Sequence, residues 1–240
     1  MVVGLGPKTP YNVPILLRDG GDVTFNNGTV VHLDPVPVWP NDLDKCVEEF
    51  KLAFGGSLID PGDAWDIGFA LTMTYNTASI GRLRACEMIK YYVELVHPRA
   101  TISIQEVDWD TYLDDLVNYP LYQAKMVIWM LGWLADFPDV YNFAVPFMYT
   151  EGDFTLFQVF SDPNLDALID ASVSPDVLAD PGLRAWYYTE IGKLYREDMP
   201  NLPTIQGVGR HWQKTWVEGW YYNPVYPGDY FYHLWKEMPP

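Results

Sequence analysis

Cations are scarce in this chain. Its 240 residues hold 15 Lys and Arg against 32 Asp and Glu, a formal net charge of −17. Binding to phosphate backbones rewards Lys and Arg, so nucleic acid is excluded as a partner. The same deficit excludes docking on anionic lipid. Histidine and cysteine are also few, four and two, and none falls in a metal-ligand spacing, so neither a structural zinc site nor any other cofactor is expected. No apolar run reaches the length of a membrane span. The start, "MVVGLGPKTP", has neither the basic nor the long apolar part of a signal peptide. No Gly-rich phosphate loop and no Gly-x-Ser-x-Gly elbow is present.

Aromatic residues, by contrast, are plentiful: ten Trp, seventeen Tyr and eleven Phe. They supply either a large aromatic core or stacking surfaces for sugars and peptide side chains. The length suits one large domain or two modest ones, with enough chain to bury a real core. The first forty residues carry turn formers and proline, with only short extended pieces. They read as an irregular segment continuing from something upstream. Asn27 to Thr29 is an N-glycosylation sequon.

From Asp42 onward the pattern is regular. Asp42 caps a helix predicted over Leu43 to Phe54, with Leu43, Val47, Phe50 and Phe54 on one face. Ile67 to Tyr75 reads as a strand. Ser79 can cap a helix over Ile80 to Val96, which His97-Pro98 stops. Ala100 to Val107 is a strand, and a short helix opens at Asp108 or Asp110. Ala124 to Leu131 is a nearly continuous apolar strand, as expected at a sheet centre. Strands alternating with helices imply a parallel sheet with right-handed crossovers. Ligands of open parallel sheets bind beyond the carboxyl ends of the strands. Those ends bring out Asn76, then Asp108 and Trp109, then Trp129, Trp133 and Asp136, which are the candidate ligand-binding residues. Further on, Asp162-Pro163 and Asp180-Pro181 each open a helix with a capping Asp and a proline at its first position. The second of these should bury Leu183, Trp186 or Tyr187, Ile191 and Leu194. "NLPTIQGVGRHW" reads as a strand, and "YPGDYFYHLW" as a turn and a final strand.

The residue pairs Asp136/Asp139 and Asp108/Asp110 could serve glycoside hydrolysis as facing carboxylates. Asp is equally at home in turns and caps, where it satisfies backbone N–H groups. Cys46 and Cys86 lie on two helices that border the first strand of the sheet, and are read either as one disulfide or as two free thiols.

The stretch "GWLADFPDVYNF", from Gly132 to Phe143, resembles the Gly-Trp-x-x-Asp-Tyr-Pro-Asp-Pro signature of the dipeptide/oligopeptide family of ABC-transporter solute-binding proteins. "LRACEMIKYYVELV", "EVDWDTYLDDL", "DPNLDALIDAS" and "LRAWYYTEIGKLYREDMPNLPTI" resemble neighbouring family motifs in order and spacing. The ending "WVEGWYYNPVYPGDYFYHLWK" is most like archaeal members. The resemblance covers about residues 40 to 240. It implies an α/β, periplasmic-binding-protein-like (type II) lobe: residues 41–200 form the ligand-binding lobe, and 201–240 return toward a first lobe that lies upstream. It implies no enzyme, but part of a membrane-tethered, extracytoplasmic receptor that hands its ligand to ABC permease subunits.

Within that resemblance, Asp136 pairs with a peptide's amino terminus and Trp133 packs on the ligand or hinge. An Arg that some members carry just before Gly-Trp, for the peptide carboxylate, is missing: Trp129, Met130 and Leu131 stand there. The expected ligand is a di- or oligopeptide. An oligosaccharide is the alternative, and a nickel- or haem-binding variant is the remotest.

Overall fold

The computed structural model describes residues 20–35, 41–117, 126–137, 139–202, 211–221 and 230–237. Its contacts divide the chain into two compact units, a continuous one over 38–133 and a discontinuous one made of 1–37 with 134–240.

The continuous unit is built on a three-stranded parallel sheet. Strand β3 (Phe69–Asn76) runs between β4 (Ala100–Val107) and β5 (Ile128–Trp129). Phe69 pairs with Ala100 and the register holds to Asn76 opposite Val107. Helix α3 (Ile80–Val96) makes the crossover from β3 to β4, with the bounds its apolar spacing predicts. Ser79 stands at its N-cap but makes no side-chain cap bond. Helix α4 (Trp109–Val117) follows β4. The core under the sheet joins Met73, Tyr75 and Ile102 to Cys86 of α3, with Leu71, Leu83, Val93, Ile104 and Ile128 around them. Removing that much apolar surface from water stabilises the unit by about 25 cal/mol per Å².

The third strand departs from expectation. Among the described residues the apolar run around residue 128 is not the sheet centre: Ile128 and Trp129 pair with β3, and β3 takes the central place. Val127 is exposed, while Ile128 and Trp129 are half-buried. Among the described residues this strand has one neighbour, and burial varies along the run: Met126 is buried and Ile128 and Met130 pack against the sheet core, while Val127 is exposed. Ala124 and Lys125 lie outside the described residues.

Before the sheet, Asp42 caps α1 (Leu43–Leu52) by accepting from the Lys45 amide at 3.0 Å, and one 3-10 turn (Ala53–Gly55) ends it. The expected start of β3 at Ile67 is displaced. Asp63–Ile67 form a short helix, α2, and Gly68, at φ +87°, turns the chain into the strand. A Cβ at Gly68 would lie 2.4 Å from the Arg99 carbonyl, so only glycine fits both the dihedral and the space. His97, read from sequence as a helix stop, is wholly buried. It sits among Phe50, Trp65 and Phe69, and its Nε2 lies 3.0 Å from the Ala64 carbonyl.

Cys46 and Cys86 are both free. Cys86 points into the sheet core, whereas Cys46 sits half-buried on α1, and the disulfide reading fails. Burial raises the pKa of each thiol.

In the discontinuous unit, the extended pieces near the start pair as a hairpin, β1 (Gly21–Thr24) with β2 (Val30–Leu33). Its turn holds the sequon, and Asn27 Oδ1 accepts from the Thr29 amide at 2.9 Å. The hairpin lies against α9 (Pro181–Asp198), where Val23 and Leu33 pack with Ala185. Between them run α5 (Tyr141–Met148), α6 (Asp153–Gln158), α7 (Pro163–Ala171) and α8 (Pro175–Ala179). Asp162 and Asp180 cap α7 and α9 as read from sequence. The buried face of α9 is Ala185, Tyr188, Thr189, Ile191 and Tyr195, so of the residues expected inside only Ile191 is fully buried. Tyr188, Ile191 and Tyr195 pack with Val140, Ala144, Leu165 and Ile169 as the unit's largest core. Two short strands, β6 (Val217–Glu218) and β7 (Trp235–Lys236), pair antiparallel. Most of the strand expected from Asn201 to Trp212 lies outside the described residues.

Candidate functional site

Three chain segments end in one row along the carboxyl edge of the sheet. Asn76 closes β3 and pairs with Val107 of β4. Asp108 and Trp109 follow β4 directly. Beside them the Met130 amide donates to the Thr74 carbonyl at 3.3 Å, one residue past β5. Of the candidates, Asn76, Asp108, Trp109 and Trp129 therefore share this edge. Trp133 follows four residues after β5 and is half-buried.

Their side chains play different parts. Asp108 is the N-cap of α4: its Oδ1 accepts from the Thr111 amide at 2.9 Å and its Oδ2 from the Thr111 hydroxyl at 2.5 Å. Those bonds hold the carboxyl below its ordinary pKa, the hydroxyl bond contributing most. This is the capping role that Asp fills at helix starts. Trp109 is 41% exposed, enough to offer a ring face to a ligand. It stacks on Tyr112 at 5.9 Å between centroids. Tyr112 is buried and donates to the Met130 carbonyl at 2.6 Å, which pins α4 to the end of β5. Burial pushes the Tyr112 phenol up to about 12.

A residue that sequence reading passed over completes the group. Arg82, in the first turn of α3, donates from Nη1 to Asn76 Oδ1. Its guanidinium carbon lies 5.5 Å from the Trp109 ring centroid, a cation–π contact. Its Nη2 lies 3.3 Å from the point where a Cβ on Gly132 would be. A single Arg in an ordinary helix gives no signal in the sequence, because only the fold brings Asn76, Trp109 and Gly132 to it.

The turn after Trp133 belongs to the discontinuous unit. Asp136 is exposed, as are Leu134 and Phe137. Asn142, at the start of α5, holds Asp136 at two points: its Oδ1 accepts from the Asp136 amide at 2.8 Å, and its Nδ2 donates to Asp136 Oδ2 at 3.2 Å. Among the described residues no hydrogen bond reaches Asp136 Oδ1. Asp139 is instead consumed internally. It accepts from the Tyr141 amide and takes both bonds of an ion pair from Arg184 Nη2, at 2.6 and 2.8 Å. Burial opposes the charge on Arg184, but the Asp139 hydrogen bond and charge outweigh it and hold the guanidinium protonated. Asp139 is thus unavailable as the second carboxylate of a hydrolase. Among the described residues no group of His, Cys, Asp and Glu could hold a metal ion.

No protein-family model matches the chain, and no curated protein sequence does. Solved structures do match. A clavulanic acid biosynthesis oligopeptide-binding protein 2 superposes with a TM-score of 0.63 and 19% identity, over 95% of this chain and 42% of its own. The chain has the fold of the oligopeptide-binding proteins. That fold recurs in Haemophilus influenzae OppA in complex with RPPGFSPFR, with a TM-score of 0.60 and 16% identity over 94% of this chain and 43% of that one. It recurs again in the Escherichia coli murein tripeptide-binding protein MppA, with a TM-score of 0.55 and 18% identity over 76% of this chain and 32% of that one. The chain therefore spans less than half the length of each of these oligopeptide-binding structures. All three are binding proteins. The mostly parallel sheet flanked by helices is the architecture they share with the continuous unit.

Proposed function

We propose that this chain is a ligand-binding part of the solute-binding component of an ABC importer, which captures di- or oligopeptides and delivers them to a membrane permease. The observation that carries this reading is the match to oligopeptide-binding structures over nearly the whole chain. The site chemistry is compatible with it. Asp136, exposed and held by Asn142 through one oxygen, leaves the other to accept from a peptide ammonium. An ammonium–carboxylate hydrogen bond is about twice as strong as a neutral one. Within the continuous unit, the exposed ring of Trp109 and the half-buried Trp133 are apolar surface of the kind that peptide side chains pack on. The receptor works outside the cytoplasm in this reading, tethered to the membrane. Among the described residues no helix is long and apolar enough to cross a membrane.

The test is titration calorimetry of a receptor containing this chain with a mixed peptide library and with oligosaccharides. Peptides should release heat and oligosaccharides should not. Trp133→Ala and Asp136→Ala should each weaken peptide binding at least about tenfold, ~1.4 kcal/mol. Heat from oligosaccharides alone would overturn the peptide assignment.

A further inference from the structure

We infer that Arg82, Asn76, Trp109 and Gly132 form a carboxylate-binding subsite at the edge of the sheet. The four residues come from different places in the continuous unit: the end of β3, the first turn of α3, the start of α4 and the segment after β5. The fold brings them round one guanidinium. Asn76 fixes that guanidinium by accepting from Nη1, and Asn76 is itself held, its Nδ2 donating to the Thr77 carbonyl at 3.0 Å. Trp109 covers its face at 5.5 Å. Both contacts orient the charge without neutralising it, since an amide and an indole ring carry none.

Acids outnumber bases by about two to one in this chain, and two of its other arginines pair with carboxylates. Arg84, two residues on, pairs with Glu87, and Arg184 pairs with Asp139. Among the described residues no carboxylate pairs with Arg82. The nearest acid along the edge, Asp108, spends both oxygens on Thr111. A half-buried guanidinium, braced but unneutralised, is set to take an acceptor from outside.

Gly132 supplies the space. Among the described residues beyond its chain neighbours, Arg82 Nη2 alone comes within 4 Å of the point where its Cβ would lie, at 3.3 Å. Glycine leaves a slot open over the backbone that Nη2 borders, and a larger residue would fill it. A carboxylate oxygen resting there would accept from Nη2 while the rest of the ligand reached the Trp109 ring. Planar carboxylate against a planar fork of N–H donors is the geometry arginine matches best. The peptide-receptor reading bears only on what carries the carboxylate: the free carboxyl terminus of a peptide, or an acidic side chain.

Nuclear magnetic resonance on the whole chain tests this directly. Acetate, titrated at constant ionic strength against chloride, should shift the Gly132 amide and the Trp109 indole N–H in wild type. Arg82→Met should abolish both shifts while its remaining spectrum stays that of the folded protein. Arg82→Lys should retain a weaker response, as a point charge without the fork. Chloride shifting the same signals equally, or acetate leaving them unmoved, overturns the proposal.

Trialanine, its carboxyl-terminal amide, and the amide of Ala-Ala-Glu then separate the two carriers. Binding of trialanine at least about tenfold tighter than its amide, lost in Arg82→Met, assigns the terminal carboxylate. Recovery by the Glu-containing amide assigns the side chain instead. If peptides bind but acid and amide bind alike, the subsite is wrong and the receptor reading stands. If acetate registers at Gly132 and no peptide binds, the subsite stands and the receptor reading fails.

Discussion

Truncating Asp139 tests how the turn bearing Asp136 is held. Arg184 places both bonds of its Nη2 on this carboxylate, and the two side chains are 12% and 29% exposed. Breaking a fully buried ion pair by removing one partner costs about 3–5 kcal/mol. Here the cost depends on which partner is removed. Arg184→Met leaves Asp139 exposed enough to hydrate and still accepting from the Tyr141 amide. It also loses the contact of Arg184 over the Tyr188 ring at 5.4 Å, worth about 0.5–1 kcal/mol. The pair is partly exposed and so is worth about 1.5–2 kcal/mol, below the range for full burial, and with the ring contact the total is about 2–3 kcal/mol.

Asp139→Ala leaves the less exposed guanidinium uncompensated, and its Nε already lacks a partner among the described residues. It also removes the acceptor for the Tyr141 amide, a hydrogen bond worth about 1 kcal/mol. The sum is roughly 4 kcal/mol. Hydrogen exchange of the α5 amides, read by mass spectrometry on the fragment that starts at Asp139, is the assay. Asp139→Ala should lower protection more than Arg184→Met. The double variant should fall short of the sum by about 1.5–2 kcal/mol, because both singles destroy the same pair. Additive effects, or a loss below about 0.5 kcal/mol in Asp139→Ala, would show that the pair does not hold the turn.

Three other outcomes are expected. Tyr112→Phe leaves the Met130 carbonyl without its buried donor and should cost about 1–3 kcal/mol in urea unfolding; an unchanged midpoint would mean water replaces the phenol. Asp180 caps α9 and accepts from the Asn26 amide at 2.5 Å. Burial pushes its pKa up, but the Asn26, Leu183 and Gly182 amides outweigh that and lower it below the ordinary 3.8. Its folded-state pKa lies below the unfolded one, so its contribution is complete above about pH 4 and is lost as pH falls further. Exchange at the hairpin should therefore accelerate below pH 4 in wild type and lose this acid dependence in Asp180→Asn. Both thiols should react with Ellman's reagent without prior reduction, Cys46 in the native state and Cys86 only on unfolding; a single disulfide recovered by mass mapping would contradict the packing around Cys86.

Many elements of both units were legible because they carry local signals. Asp42, Asp108, Asp162 and Asp180 announce helix starts by capping chemistry, and α3 keeps its apolar spacing to the last turn. The failures have a common cause in tertiary placement. The apolar run around Ile128 reads as central, yet only its neighbours decide whether a strand has one partner or two. On α9 the aromatic stripe is wide enough that Tyr188 and Tyr195 compete with Leu183 and Leu194 for the core, and α7 settles the choice. At the site, Trp109 and Asn76 could be placed at strand ends by counting. Arg82 could not, since nothing in a helix's first turn says which loop will lie beside it. Asp108 was found by position, and its bonds to Thr111 make it a cap.

The hairpin near the start meets α9 across 154 residues of sequence, at the bond between Asn26 and Asp180. Residues 38–133, by contrast, make a unit closed within one continuous stretch. During synthesis at about 5–20 residues per second, the hairpin therefore waits roughly 8–30 s for its helix to be made. Two bare strands with Val23 and Leu33 unmatched are then exposed to any other edge in reach. The parallel sheet emerges whole in that interval and can fold first. On the ribosome, the hairpin is made before the parallel sheet and settles after it.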